Sequence, residues 1–321
     1  MRTFICVMLA CTTGGFAFAQ PEITGAPWHV TLNAVDESGK PVEGAHASVG
    51  FHVNPPPGVV VEDYRDSSAK IEGITDANGV FSASHTDASW SLGFDLQKSG
   101  YYSTHSNYTL FLPGQFDALT VSKNRNPSLT LVIKTIGSPI SLYAKKVNLG
   151  MPVFDKPVGF DLITGDWTMP YGKGGHSDIL FTGKLSKRSD YDSDYKLTVS
   201  FPNPGDGIQE FLVPDAEAGS KLRSGHEAPS DNYQSSWEQF DNRKPGKTDT
   251  NRDQKRNYYF RVHTVLDASG RVKTALYGKI YGDFMQFTYF LNPTPNDRNI
   301  EFNPKQNLLG NLKSSEQVRF P

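Results

Sequence analysis

The residues that could carry chemistry come first. Eight histidines stand at His29, His46, His52, His85, His105, His176, His226 and His263, with no H-x-H, H-E-x-x-H or H-x₃-H spacing among them. A zinc site assembled from imidazoles therefore needs convergence from separate segments, which spacing alone does not provide. On strands, His29 and His263 are expected to face away from the apolar positions, so the histidines are expected as isolated surface groups. Asp190-Tyr191-Asp192-Ser193-Asp194 sets three carboxylates at alternate positions, as a calcium loop begins. The continuation fails, because Tyr195 stands where the loop needs Gly and Phe201 where it needs Glu. In an extended segment the three aspartates would share one face and repel unless a cation such as calcium sat among them. The alternative is a solvated turn before a strand at Lys196.

Nucleophilic and acid–base catalysis find weaker support. Gly-x-Ser-x-Gly is absent, and Gly175-His176-Ser177-Asp178 collects hydrolase residue types only as neighbours. Triad members converge from separate elements, so no catalytic residue is assigned. Gly172-Lys173-Gly174-Gly175 lacks the Gly-Lys-Ser/Thr of a phosphate loop. Glu210, Glu217, Glu238 and Asp283 could pair for glycoside hydrolysis, but sequence spacing says nothing of the ~5–9 Å separation that chemistry requires. Trp167, Tyr171, Tyr233 and Trp237 lie in Gly- and Ser-containing surroundings, where exposed rings would suit a glycan or an extracellular protein. The competing expectation is that these rings fill a β core.

Composition bounds the scaffold. In 321 residues there are 29 Gly, 21 Pro, 20 Phe and 14 Tyr, which favours many short strands over helices. A formal charge of −2 gives no electrostatic reason to expect nucleic acid. Arg2, the apolar run Phe4 to Thr13 and Ala17-Phe18-Ala19 form a secretory signal pattern, so residues 1–19 are expected to be removed and the chain exported. That cleavage would take away Cys6 and Cys11, the chain's two cysteines, and with them all thiol chemistry. Met8-Leu9-Ala10-Cys11 offers the alternative of a lipoprotein acylated at Cys11. No later run approaches ~18 apolar residues, so no transmembrane segment is expected.

Residues 20–136 alternate apolar and polar. Trp28, Val30, Leu32 and Ala34 share one face, Asp36-Glu37-Ser38-Gly39 is a turn, and a second strand spans about Ala45 to Val53 before Pro55-Pro56-Pro57. Ala69–Thr75, Asp76-Ala77-Asn78-Gly79 and Val80–Ser84 predict a hairpin. Trp90, Leu92, Phe94 and Leu96 alternate again, as do Leu129, Leu131 and Ile133. Residues 137–151, punctuated by Gly137, Pro139, Gly150 and Pro152, are expected to be a linker. In 152–321, strands are expected at Val158–Ile163, Ile179–Leu185, Lys196–Phe201, Tyr258–Leu266, Val272–Tyr281 and Phe284–Leu291. Asp267-Ala268-Ser269-Gly270 should close a hairpin. Asp241 to Arg256, nearly devoid of apolar residues, is expected to be a mobile loop or a solvated strand edge. The fold class predicted is all-β, two β-sandwich domains.

The turn Asp36 to Ala45, the segment Thr75 to Phe81 and Lys98-Ser99-Gly100-Tyr101 together resemble the carboxypeptidase-regulatory-like, transthyretin-type β-sandwich of bacterial secreted proteins. That resemblance implies a packing or adhesion module with no catalytic residues of its own. The Pro-rich stretch after Val53 departs from the family's minimal pattern. The end of the chain, Tyr258 to Phe302, is similar to the C-terminal part of secreted bacterial proteins carrying this module, which implies no activity. The function expected is a non-enzymatic interaction or structural protein, with a carbohydrate-binding or carbohydrate-active protein as the alternative.

Overall fold

The structure is a computed structural model describing residues 27–52, 69–86, 91–109, 125–214 and 219–321. The signal pattern, Cys6, Cys11 and the triple proline lie outside these residues. The described residues are all β. In the first part of the chain the strands are β1 (Pro27–Val35), β2 (His46–His52), β3 (Ala69–Ile74), β4 (Val80–Thr86), β5 (Ser91–Gln97), β6 (Thr104–Thr109) and β7 (Ser128–Val132). Then follow β8 (Tyr143–Asn148), β9 (Val158–Asp161), β10 (Asp166–Trp167), β11 (Ile179–Ser189), β12 (Asp192–Ser200) and β13 (Gly207–Leu212). The last are β14 (Gly219–Ser220), β15 (Ser236–Lys244), β16 (Lys247–Thr250), β17 (Arg256–Leu266), β18 (Val272–Tyr281) and β19 (Gln286–Leu291).

Two pairs of sheets enclose two separate cores. The sheet β4-β1-β7 faces the sheet β14-β6-β5-β2-β3 across Trp28, Leu32, Val49, Phe51, Phe94 and Ile133. The larger core, around Phe160, Phe181, Val199, Tyr258, Phe260 and Tyr289, lies between β10-β9-β11-β12-β15-β16 and β13-β17-β18-β19-β8. In each sheet the alternate inward residues supply the core, as the period of two demands.

Three expectations need correction. Ala69 to Ser84 is no hairpin, because β3 pairs with β2 in one sheet and β4 with β1 in the other. The turn itself forms, with the Asp76 carboxylate accepting the Asn78 and Val80 amides and Gly79 at φ 73°. It then stitches to β1 through Ala34 N–H donating to Gly79 O, which carries the chain across the sandwich. Residues 143–148, inside the stretch expected as a linker, form β8 on the edge of β19. The Gly and Pro residues bracket that strand instead of replacing it, and Ala144 is buried on it. Asp192 and Asp194 belong to β12, so the strand begins before Lys196. Between its two expected forms, Asp241 to Arg256 is the solvated edge, since β15 and β16 form a hairpin there whose second strand is exposed throughout.

Polar bonds join the two halves. β14, from the second half, extends the first half's sheet by pairing with β6. Glu301, only 2% exposed, accepts from Tyr102 Oη at 2.6 Å and from the Gly137 amide at 3.0 Å. His226 bridges Glu301 and Glu37, with Nδ1 2.6 Å from Glu301 and Nε2 2.9 Å from Glu37. Beside this, Lys134 Nζ donates to Ser224 O at 2.8 Å. The fully buried Lys279 lies 3.2 Å from Ser224 Oγ, with the Tyr281 and Phe290 rings each 4.8 Å from its Nζ. Burial holds the Lys279 amine well below its ordinary pKa.

Candidate functional sites

Three buried aspartates position the one group among the described residues in which three histidine and carboxylate side chains bring a ligand atom each to a common place. Asp161, at the end of β9, accepts the Ile163 and Thr164 amides through Oδ1. Its Oδ2 accepts the Gly175 and His176 amides at 3.0 and 3.2 Å. Burial pushes the Asp161 carboxyl up, but these backbone donors outweigh it and hold the pKa below the usual value. The segment before β11 is thus folded back over β9, with Asp178 buried at its end. Asp178 Oδ2 accepts the Leu162 amide at 2.7 Å.

From the facing sheet comes His263, on β17. The pairing of β17 with β18 slips between Val262 and Val265, and His263 sits in this bulge with φ 54°. A bulge re-aims a side chain relative to strict alternation. Asp206 holds the bulge by accepting the His263 amide at 3.2 Å and the Thr264 amide at 2.8 Å. His263 Nε2 then reaches to 2.6 Å from Asp178 Oδ1, with His176 Nε2 3.6 Å from the same oxygen. The two imidazole rings lie with centroids 4.8 Å apart, tilted by 39°. The Asp178 carboxylate beside it raises the His263 pKa, against the opposing effect of burial.

This convergence overturns the expectation of isolated histidines at His176 and His263, as the bridge between Glu301 and Glu37 does at His226. At His263 the physical reason is the bulge, which strict alternation along β17 could not reveal. Ser177 takes no part. Its Oγ packs against Gly159, where an added Cβ would fall 2.0 Å from it.

The expected calcium residues lie elsewhere, and protein cations flank them. Arg188 on β11 donates to both Asp192, through Nε at 2.8 Å, and Asp194, through Nη1 at 2.8 Å, while Lys187 pairs with Asp190 at 2.8 Å. With the guanidinium in place, titration calorimetry is expected to find no calcium uptake at these residues. Arg188→Ala is the variant expected to open them to calcium, and equal heats from both proteins would refute this assignment.

The four aromatic candidates do not form one surface. Trp167 packs edge-on against Phe160 and Phe181, at centroid distances of 5.5 and 5.7 Å. Trp237, on β15, packs at 5.2 Å from Tyr258 and 5.6 Å from Phe284, with the Arg256 guanidinium 5.6 Å from its ring. Tyr233 donates to Pro229 O at 2.7 Å and has Arg261 4.9 Å from its ring, whereas Tyr171 is 44% exposed. Of the acids considered for glycoside hydrolysis, Glu210, Glu238 and Asp283 are engaged by Arg256, Lys196 and Arg252 respectively. Glu217 lies outside the described residues. A groove of about 1040 Å³ runs where the two halves meet, bordered by Lys145, Asp166, Trp167, Arg223, Tyr281 and Phe320. No helix of the described residues is long and apolar enough to cross a membrane.

No family model matches the chain, and no curated protein is similar to it. Among solved structures, the chain is similar to the major pilin SpaD from Corynebacterium diphtheriae at 9% identity and a TM-score of 0.27, over 75% of this chain and 87% of that one. It is similar to the shaft pilin SpaA from Lactobacillus rhamnosus GG at 13% identity and a TM-score of 0.23, over 76% and 89%. A 3-chlorocatechol 1,2-dioxygenase from Rhodococcus opacus matches at 14% identity and a TM-score of 0.27, over 35% of this chain. The chain spans 62% and 60% of the two chlorocatechol dioxygenases it matches. With TM-scores no higher than 0.27, these likenesses carry no residue, ligand or activity across.

Proposed function

We propose that this chain is an exported, non-enzymatic structural or interaction protein built from two β-sandwich domains, the first of carboxypeptidase-regulatory-like type. The observation that carries the reading is the junction. A shared strand, β14, and the hydrogen-bonded run Tyr102–Glu301–His226–Glu37, buried at Tyr102 and Glu301, fix one sandwich against the other. Such a joint suits a part that must hold its shape while engaging an extracellular partner. The Arg2 to Ala19 signal pattern supports export.

A second reading, glycan binding, is favoured by the groove between the halves, where Trp167 and Asp166 border the same concave surface. Aromatic faces beside carboxylates are the chemistry that recognises sugars. One screen separates the two. The chain beginning at Gln20, applied to a glycan array and to generic ester, peptide and glycoside substrates, is expected to give no specific hit and no turnover. A reproducible glycan ligand lost on Trp167→Ala would establish the second reading in its place. Mass spectrometry of the mature protein is expected to find Gln20 or its pyroglutamate at the N-terminus; diacylglyceryl Cys11 would mean lipid anchorage instead.

A further inference from the structure

We propose that His176, Asp178 and His263 bind one divalent transition-metal ion of the zinc class, clamping the two sheets of the second sandwich together. The three residues offer two imidazole nitrogens and one carboxylate oxygen, all within 4.8 Å of one another. Metal–ligand bonds of ~2.0–2.2 Å at tetrahedral angles hold donor atoms about 3.4 Å apart. The two separations to Asp178 Oδ1, 2.6 and 3.6 Å, bracket that value. His176, whose side chain is 59% exposed, has the freedom to close the difference by rotation.

An ordinary histidine–aspartate pair does not account for the geometry. At 2.6 Å, Nε2 of His263 and Oδ1 of Asp178 are close enough to hydrogen-bond. Yet both atoms are buried and neither has a hydrogen-bond partner. The separation is sufficient, so it is the direction that fails. Two buried ligand atoms this close, ion-paired but not aligned for a hydrogen bond with each other, are open to an ion that both can bind. A carboxylate whose side chain is 1% exposed also needs a cation or a donor at its free oxygen.

The surrounding bonds are those that fix metal ligands. Asp178 is oriented by the Leu162 amide on its other oxygen, and the backbones of His176 and His263 are tied to Asp161 and Asp206. The donor set selects the ion. Calcium and magnesium prefer all-oxygen shells, whereas imidazole with carboxylate suits zinc and its neighbours. Three protein donors leave the fourth position to water, on the side where His176 meets solvent. The ion joins the segment entering β11 to β17 of the facing sheet.

The test uses the full chain freed of metal with a chelator and titrated calorimetrically with Zn²⁺, with Mg²⁺ and Ca²⁺ alongside. The expected result is one zinc per chain, no comparable uptake of the other two ions, and a melting temperature raised by zinc. His176→Ala, an exposed change that leaves the fold intact by circular dichroism, is expected to weaken zinc binding by at least about tenfold. His263→Gln should do the same. Absence of zinc uptake, or uptake unchanged in stoichiometry and affinity in His176→Ala, would overturn the assignment. Both outcomes are independent of whether any glycan or protein partner binds, so failure here leaves the proposed function standing.

Discussion

Phe181→Ala is expected to lower unfolding stability by about 3–5 kcal/mol, the range for deleting a fully buried aromatic. Phe181 is 0% exposed and joins the two faces of the larger core. On its own sheet it meets Phe160 at 6.3 Å and Trp167 at 5.7 Å; across the sandwich it meets Phe284 at 6.0 Å and Phe287 at 6.3 Å. Three of these contacts are edge-to-face and the fourth, with Phe287, is stacked; such pairs add to area burial, and truncation loses all four at once while leaving a cavity. Urea denaturation followed by tryptophan fluorescence measures the loss, with an unchanged m-value indicating that the native surface is otherwise kept. As a control, Ile74→Ala, at a position 66% exposed, should change stability by no more than about 0.5 kcal/mol. A Phe181→Ala loss below about 1 kcal/mol would mean that this aromatic cluster does not hold the sheets together.

Glu301→Ala should cost about 3 kcal/mol, because it leaves Tyr102, Gly137 and His226 facing an empty pocket. The cost should depend on pH in a defined way. For His226, burial lowers the pKa, but the bonds to Glu37 and Glu301 outweigh it and raise it above 6.5. Its contribution is therefore complete below 6.5 and is lost as pH rises through the folded-state value. For Glu301, burial pushes up, and the bonds from Tyr102, His226 and Gly137 prevail to hold it below 4.5. That contribution is complete above 4.5 and is lost as pH falls through the folded-state value. The junction is thus strongest between 4.5 and 6.5, and the difference between wild type and Glu301→Ala should be largest there and shrink on the alkaline side. Denaturation midpoints measured from that range up through the alkaline side check this, and a difference that does not shrink above 6.5 would remove His226 from the account.

Strands declared themselves in the sequence wherever one face was buried and the other wet. Trp28 to Val35 is such a segment, and its buried positions are those of the alternation. The Asp267 to Gly270 turn was equally plain, because Asp and Gly there satisfy a local backbone need. Pairing was not legible. Asp76 to Gly79 makes the same kind of turn, but whether the next strand joins its predecessor depends on the distant β1. Asp192 and Asp194 do have a cation beside them, and the missing information was that it is Arg188 on the neighbouring strand, while Asp190, in the turn, pairs with Lys187. His263 was hidden for a related reason. Its direction is set by a bulge that Asp206, 57 positions earlier, holds from the turn leading into β13.

The two-residue strand β14 has a consequence for how the chain is made. The first half's sheet is not complete until Gly219 and Ser220 have been synthesised and have returned to cover the edge of β6. Until then Thr104 and His105 lack the strand partner they have in the folded chain, and an unpartnered strand edge is the template on which strands of separate chains add to one another. A ribosome supplies about 5–20 residues each second, so the interval between β6 and β14 is a matter of seconds to tens of seconds.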